Sequence, residues 1–296
     1  MKYTVGIDLG GSSVKAVAVS LDGEILARRM AAFSVAASLD WAVRIRDLFA
    51  ELQTERGEPA EYVGLSAPGL AAADGRSIAF MPGRLEGLEN LDWTRFLGVS
   101  QPVLVLNDAQ AALVGESWIG AARGFQNVIM LTLGTGVGGA AIVDGRLLRG
   151  NIGRAGHLGH ICLNPDGPAD VAQTPGSLEM VMGNCTVEAR SRGRFHTTHD
   201  LVTAHLAGDT DATKVWLESV RNLACAICSL INILDPAAVI IGGGIARAGA
   251  ALLRPLAEYL DPIEWRPGGS RVTLLPATLG EYAGACGAAR NAMAKV

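Results

Sequence analysis

The sequence predicts an α/β protein of two domains with like topology, facing each other across a cleft, and three observations carry that reading. One pattern occurs twice: YTVGIDLGGSSVKAVAVSLDGEI at the start and NVIMLTLGTGVGGAAIVDGRLL from residue 127 both read as strand, glycine turn, strand, Asp-Gly turn, next strand. Apolar strand-like runs alternate with helix-like ones through the rest of the chain. The 296 residues suffice for one large domain or two modest ones, and a copy of the pattern at the head of each half favours two, 1–118 and 119–296.

In chain order, the first hairpin is followed by a helix over about 37–57. VLVLND (103–108) then reads as a buried strand ending in polar residues, with AQAALVGESWIGAA as a helix straight after it. Asp108 therefore stands at the carboxyl end of a strand, where α/β folds place their ligands. After the second hairpin and central loops come a helix through 214–234, stopped by Asp235-Pro236, and AAVIIGG as a buried strand. A helix over about 246–260, the strand VTLLPA and a small-residue helix over about 282–296, free to pack back on the first domain, complete the chain. The run LACAICSLINIL (223–234) is too short for a span of about 20 residues and carries Ser229 and Asn232, so it reads as a buried helix.

Composition narrows the partners. With 25 basic against 29 acidic residues the net charge is -4, which suits neither a nucleic-acid binder nor a membrane-surface protein and points to a small molecule. The opening MKYTVGIDLGG puts Asp8 and glycines where a secretory signal needs an unbroken apolar core, so the chain reads as cytoplasmic. The five cysteines form no secreted framework, and Cys225-x-x-Cys228 falls inside a helical run rather than at the strand-to-helix turn of a redox pair.

Glycine clusters at Gly10-Gly11, in the run from Gly134 to Gly139, and at Gly242-Gly243-Gly244, each after an apolar segment. A backbone without Cβ approaches phosphates closely and presents its N–H groups to them, so paired glycine hairpins suit a nucleotide; for a single cluster, turn geometry is explanation enough. The chain lacks G-x-x-x-x-G-K-[ST], and the third cluster does not complete G-x-G-x-x-G, which argues against a P-loop or dinucleotide enzyme.

Taken together, DLGGSS (8–13), LNDAQAA (106–112), TLGTGVGGA (132–140), DGRLLRG (144–150), GHLGH (156–160), GSLE (176–179), DPAAVIIGGGIA (235–246) and GACGAA (284–289) resemble the ROK family of sugar kinases in order and spacing over essentially the whole chain. The resemblance implies a pair of actin-like, ribonuclease-H-like domains closing over ATP, Mg²⁺ and a sugar, in a homodimer. It also implies an enzyme rather than a repressor, since ROK repressors carry an added amino-terminal DNA-binding domain and here a strand begins within five residues of the start.

Under that resemblance Asp108 is the general base. A sugar hydroxyl is a poor nucleophile, and an aspartate aimed at it accepts its proton as the bond to phosphorus forms. The alternative reading of Asn107-Asp108 is a helix N-cap. Asp8 would hold Mg²⁺ directly or through water, or else only cap the turn. Gly10, Gly11 and Ser12 would meet the phosphates from the first domain, and Gly134, Thr135 and Gly136 from the second, with Gly243 and Gly244 bordering the adenosine. Ser13 stands where lysine is frequent in the family.

GRAGHLGHIC (153–162) first suggests half of a metal site, but zinc needs three or four ligands. In the family pattern C-x-C-G-x-x-G-C-x-E the three cysteine positions here are Asp170, Ala172 and Ser177, and Cys162 and Cys185 are poorly placed to rebuild the set, so zinc is not expected. The segment's other implied role is sugar binding, by His160 and Glu179, with Asn107 and Gly69 also against the substrate. His157 replaces a family glutamate. Neutral imidazole both donates and accepts hydrogen bonds, whereas a carboxylate only accepts, so this change bears on which sugar fits, unless His157 is a surface residue facing elsewhere. The expectation is an ATP- and Mg²⁺-dependent kinase of a hexose or hexose derivative, glucose-like sugars preferred. The alternative is a catalytically reduced sugar-binding or regulatory protein on the same fold.

Overall fold

Each copy of the repeated hairpin becomes part of a five-stranded sheet in a computed structural model that describes residues 2–34, 39–81 and 85–293. The chain forms two compact units, Met1–Gly124 with Arg149–Ala155 and Thr278–Val296, and Phe125–Leu148 with Gly156–Ala277. In the first, β1 (Tyr3–Leu9), β2 (Ser13–Ser20) and β3 (Ile25–Ala32) are an antiparallel meander, α1 (Asp40–Arg56) crosses over, and β4 (Tyr62–Ala67) lies parallel to β1. A small ribbon of β5 (Leu70–Ala71) and β6 (Ile78–Phe80) and a short α2 (Trp93–Leu97) precede β7 (Leu104–Asn107), parallel to β4, and α3 (Asp108–Ile119).

The second unit repeats the plan. There β8 (Val128–Leu133), β9 (Val137–Val143) and β10 (Arg146–Leu147) are the meander. The short α4 (Leu178–Met182), α5 (Val187–Arg190) and α6 (Thr198–Leu206) lead into the long α7 (Thr210–Leu234). Then come β11 (Ala238–Gly242), parallel to β8, α8 (Ala250–Leu260), and β12 (Thr273–Pro276), parallel to β11. The chain ends with α9 (Ala283–Met293), in the first unit. The sheet orders β3-β2-β1-β4-β7 and β10-β9-β8-β11-β12 are equivalent strand for strand and in sense.

Apolar strands covered by helices explain both cores. Ile7, Leu9, Ile45, Leu52 and Leu65 are fully buried in one, and Leu131, Val220, Leu223, Ile227, Ile241 and Leu256 in the other. Each such side chain contributes about 1.5–3 kcal/mol relative to exposure. Helix α7 is long and apolar enough, at a mean hydropathy of 1.4, to cross a membrane by length and composition, yet Trp216, Val220, Leu223, Ala224, Ile227 and Leu230 along it are buried in this core. It begins at Thr210 rather than near 214 because the Asp209 carboxylate caps it, accepting the Ala212 N–H at 2.8 Å.

The unit boundaries differ from 1–118 and 119–296. Residues to Gly124 stay with the first unit because the Glu116 carboxylate accepts the Ala121 N–H at 2.7 Å and the Glu116 carbonyl accepts that of Ala122. The segment 149–155 joins the same unit, Gly153 lying so close to β5 that a Cβ on it would be 3.0 Å from the Ala71 carbonyl oxygen. Helix α9 lies on β1 and β4 and beside α3. Residues 37, 38 and 294–296 of the expected helices fall outside the described residues. The expected helix over 246–260 divides into a 3₁₀ turn, Gly244–Ala248, and α8, broken at Gly249, where φ is +56°.

Candidate active site

In the first unit the chemistry gathers at the carboxyl ends of the parallel strands. Asp8 stands opposite Lys15 on β2 and Ser66 on β4, and the Ser66 hydroxyl donates to Asp8 Oδ1 at 2.6 Å. Gly284 of α9 lies against the carboxylate: a Cβ there would be 2.6–2.9 Å from its atoms. Desolvation by the surrounding protein pushes the Asp8 pKa up to about 6, and the nearby charge of Asp108 adds to the rise; the Ser66 hydrogen bond and Lys15 pull the other way. A hindered carboxylate that feels the charge of a second one, with one side-chain donor on it, fits a cation such as Mg²⁺.

Asp108 is the first residue of α3, not the last of the strand as its sequence suggests. The capping place belongs to Asn107, whose Oδ1 accepts the N–H groups of Ala109 at 3.0 Å and Gln110 at 3.4 Å, while its Nδ2 donates to the Gly69 carbonyl at 3.0 Å. That turn demands glycine at 69, where φ is +98° and a Cβ would meet the Phe80 carbonyl at 2.6 Å. Asp108 is open to solvent yet hemmed in by protein, and desolvation raises its pKa against the Ala109 N–H, 2.8 Å from Oδ1, and the Asn107 side chain. Between β1 and β2, Gly11 and Ser12 are exposed, with the turn closed by the Gly10 N–H on the Ser13 carbonyl.

In the second unit Gly134, Thr135 and Gly136 form the β8–β9 turn, closed by the Gly134 N–H on the Gly136 carbonyl at 2.9 Å. Thr135 is exposed, and its carbonyl and that of Gly134 accept the N–H groups of Cys185 and Asn184. Glu179, nearly buried on α4, accepts the Val137 N–H through Oε2 at 3.0 Å, so its carboxylate braces this turn. Gly243, with φ at +86°, passes so close to the end of β8 that a Cβ would sit 2.3 Å from the Leu133 carbonyl oxygen, while Gly244 faces open space.

The histidine segment runs along β9, with Gly159 so close to the Val137 carbonyl that no side chain fits. The rings of His157 and His160 lie nearly parallel, centroids 6.5 Å apart. Burial lowers the His157 pKa, and His160 lowers it further, which keeps its ring neutral at pH 7; its Nε2 is buried with no hydrogen-bond partner among the described residues. His160 Nδ1 lies 2.8 Å from Asp170 Oδ2. The imidazole of His160 and the carboxylates of Asp170 and Glu179 bring ligand-capable atoms within 4.8 Å of one another, with no cysteine in the set, a poor match to a structural zinc site. Cys162 and Cys185 are exposed and unpaired, and desolvation raises the Cys185 pKa, disfavouring the thiolate a metal needs.

Within each unit, then, the expected residues converge: Asp8 with Asp108, and His157, His160 and Glu179 with the 134–136 turn. Two partners escaped the sequence reading. Ser66 is found only through the β1–β4 register, and Asp170 stood in the sequence as one of three replaced cysteines, its acid type the one available signal.

The ROK family model matches residues 4–295. The chain is 34% identical over 273 residues to a glucokinase from Thermotoga maritima, covering 86% of each chain. It is 30% identical over 292 residues to an N-acetylmannosamine kinase from Escherichia coli, covering 97% of each. The crystal structure of a ROK family glucokinase from Streptomyces griseus in complex with glucose and AMPPNP aligns at a TM-score of 0.79 and 29% identity over 98% of this chain and 99% of that one. The two equivalent sheets are the paired actin-like domains of these sugar kinases. With a match that spans nearly every residue and a sheet plan shared with solved relatives, this chain belongs to the ROK family.

Proposed function

We propose that this protein transfers a phosphoryl group from ATP to a hydroxyl of a hexose or hexose derivative, glucose-like sugars preferred, with Asp108 as the general base. It is a sugar kinase by family, and its relatives are a glucokinase and an N-acetylmannosamine kinase. The observation that carries the assignment is a pair of carboxylates, Asp8 and Asp108, at the carboxyl ends of β1 and β7, near enough for the charge of Asp108 to raise the Asp8 pKa, with Asn107 occupying the cap that would otherwise explain Asp108. ATP brings the transferable phosphoryl group, and Mg²⁺ neutralises charge on its oxygens.

Asp108 accepts the hydroxyl proton; its raised pKa makes it a better acceptor than an ordinary carboxylate. Asp8, held by Ser66, is the metal-side carboxylate, directly or through water. Gly11 and Ser12, in the turn that Gly10 closes, and Thr135 and Gly136, in the turn that Gly134 closes, meet the phosphates, and Gly243 and Gly244 border the adenosine. His157, His160 and Glu179, with Asn107 and Gly69, recognise the sugar. Neutral His157 offers a donor and an acceptor where a glutamate offers acceptors alone. The binding-only alternative is disfavoured, because the relatives are kinases and both carboxylates are retained.

The test is a coupled assay over a panel of hexoses and N-acetylated hexosamines, with Asp108→Asn beside the wild type. The variant is expected to lose ~10²–10⁴-fold in turnover while still binding sugar. An active variant removes Asp108 as base, and wild-type protein that binds sugars without phosphorylating any removes the kinase.

A further inference from the structure

Asp170 has the environment of a group kept for another group's sake. Its side chain is fully shielded from solvent, while that of His160 is about one quarter exposed. Oδ1 accepts the N–H groups of Ala172 at 2.8 Å and Thr174 at 3.0 Å, closing the 170–174 turn, and Oδ2 is left for His160 Nδ1 at 2.8 Å. The turn is itself pinned: the Asp170 N–H donates to the Thr174 carbonyl, and the Leu178 N–H donates to the Ile161 carbonyl next to His160. Burial opposes ionisation of Asp170, but the Ser177 hydroxyl, the His160 ring and the Thr174 N–H outweigh it, and its pKa lies below the ordinary carboxylate value.

An ionised carboxylate has no hydrogen to give. The hydrogen between the two groups therefore belongs to Nδ1, and whenever the ring carries that hydrogen alone Nε2 is an acceptor. We infer that Asp170 is a positioning residue that holds His160 in the Nδ1–H tautomer, so that Nε2 accepts a hydrogen bond from a sugar hydroxyl. This rests on the reading of His160 as a sugar contact. It assigns His160 the acceptor role and leaves donation to other groups, which selects a substrate with a free hydroxyl, rather than an ether or acyl oxygen, at that position. No metal is needed to orient the ring, because the buried carboxylate and its two backbone donors do so.

Asp170→Asn tests this by keeping size and shape while removing the charge. Its amide oxygen satisfies the Ala172 and Thr174 N–H groups, and its NH₂ then faces Nδ1, forcing the hydrogen to Nε2. Expected are a rise in sugar KM on the order of 10-fold with the ATP KM unchanged, and a switch of His160 from Nδ1–H to Nε2–H in long-range ¹H–¹⁵N spectra of the neutral ring. His160→Ala runs in parallel. If it raises the sugar KM while Asp170→Asn does not, the positioning role falls; if it leaves the sugar KM unchanged, the sugar-contact reading falls instead. A wild-type ring already protonated at Nε2 overturns the inference, and that spectrum decides it even if Asp170→Asn fails to fold. So does a stoichiometric divalent metal in the wild type that is lost in Asp170→Asn, for Asp170 would then be a ligand.

Discussion

At Asp108 the pair Asn-Asp before a helix admits two explanations in one dimension, a base and a cap, and the fold separates them by giving the cap to Asn107. Asp8 is a second case where neighbours decide the chemistry. Its pKa is raised above the 3.8 of an unhindered aspartate to about 6, so the folded state holds this proton more tightly than the unfolded chain. The contribution of Asp8 to stability therefore falls as pH rises from about 4 to about 6 and is level above that. Asp8→Asn removes the buried charge and keeps an acceptor for Ser66. Thermal unfolding without nucleotide is expected to show the variant more stable than the wild type at pH 7, with the gain vanishing near pH 4, while turnover drops. A gain that is constant over this range would mean that Asp8 does not titrate there.

Among the elements, α9 shows what pattern reading reaches and where it stops. Its small residues read as a helix and Gly6 reads as a glycine in the first strand, but the strand that holds Gly64 was not read, and nothing in the sequence pairs either glycine with the helix. In the fold α9 lies so close to β1 and β4 that a Cβ on Gly6 would sit 1.9 Å from the Ala285 carbonyl oxygen, and one on Gly64 equally close to that of Ala288. These are backbone atoms of a packed helix, and they cannot turn aside as a side chain would. Gly64→Ala is expected to cost about 1–3 kcal/mol or more, read as a fall in the denaturant midpoint. Gly134→Ala is the control, since a Cβ there meets nothing within 4 Å; an equal loss in both would show that helix approach is not the cause.

For the whole molecule, the chain's end is tied to its first unit by one buried carboxylate. Glu116 on α3 is fully buried, and besides the Ala121 N–H it accepts the N–H groups of Thr278 and Leu279 at 2.9 and 2.8 Å and the Thr278 hydroxyl at 3.0 Å. These donors lie 162 and 163 residues away in sequence. Each buried N–H left without an acceptor costs about 1–3 kcal/mol. Glu116→Ala should thus lower the melting temperature clearly and expose the 278–293 segment to protease before the rest. Cleavage elsewhere first would relocate the weak point.

The sequence by itself determined the class of the molecule. The doubled glycine hairpin, the strand and helix periodicities and the spaced motifs are local, and local backbone geometry follows from residue type over a few positions, so both hairpins, the strands at 103–108, 237–243 and 272–277, and the family were legible in it, while β4 was not. The tertiary structure decided everything that depends on registers and close approaches between distant segments: Ser66 on Asp8, Asn107 as the cap, α9 against Gly6 and Gly64, and the Glu116 carboxylate as the tie that holds the returning C-terminal segment. The partner of His160 belongs to this second group. Asp170 lies ten residues away on the far side of a loop, and only folding brings its carboxylate to 2.8 Å from the ring, because hydrogen bonding and charge act over ångströms in space whatever the distance along the chain.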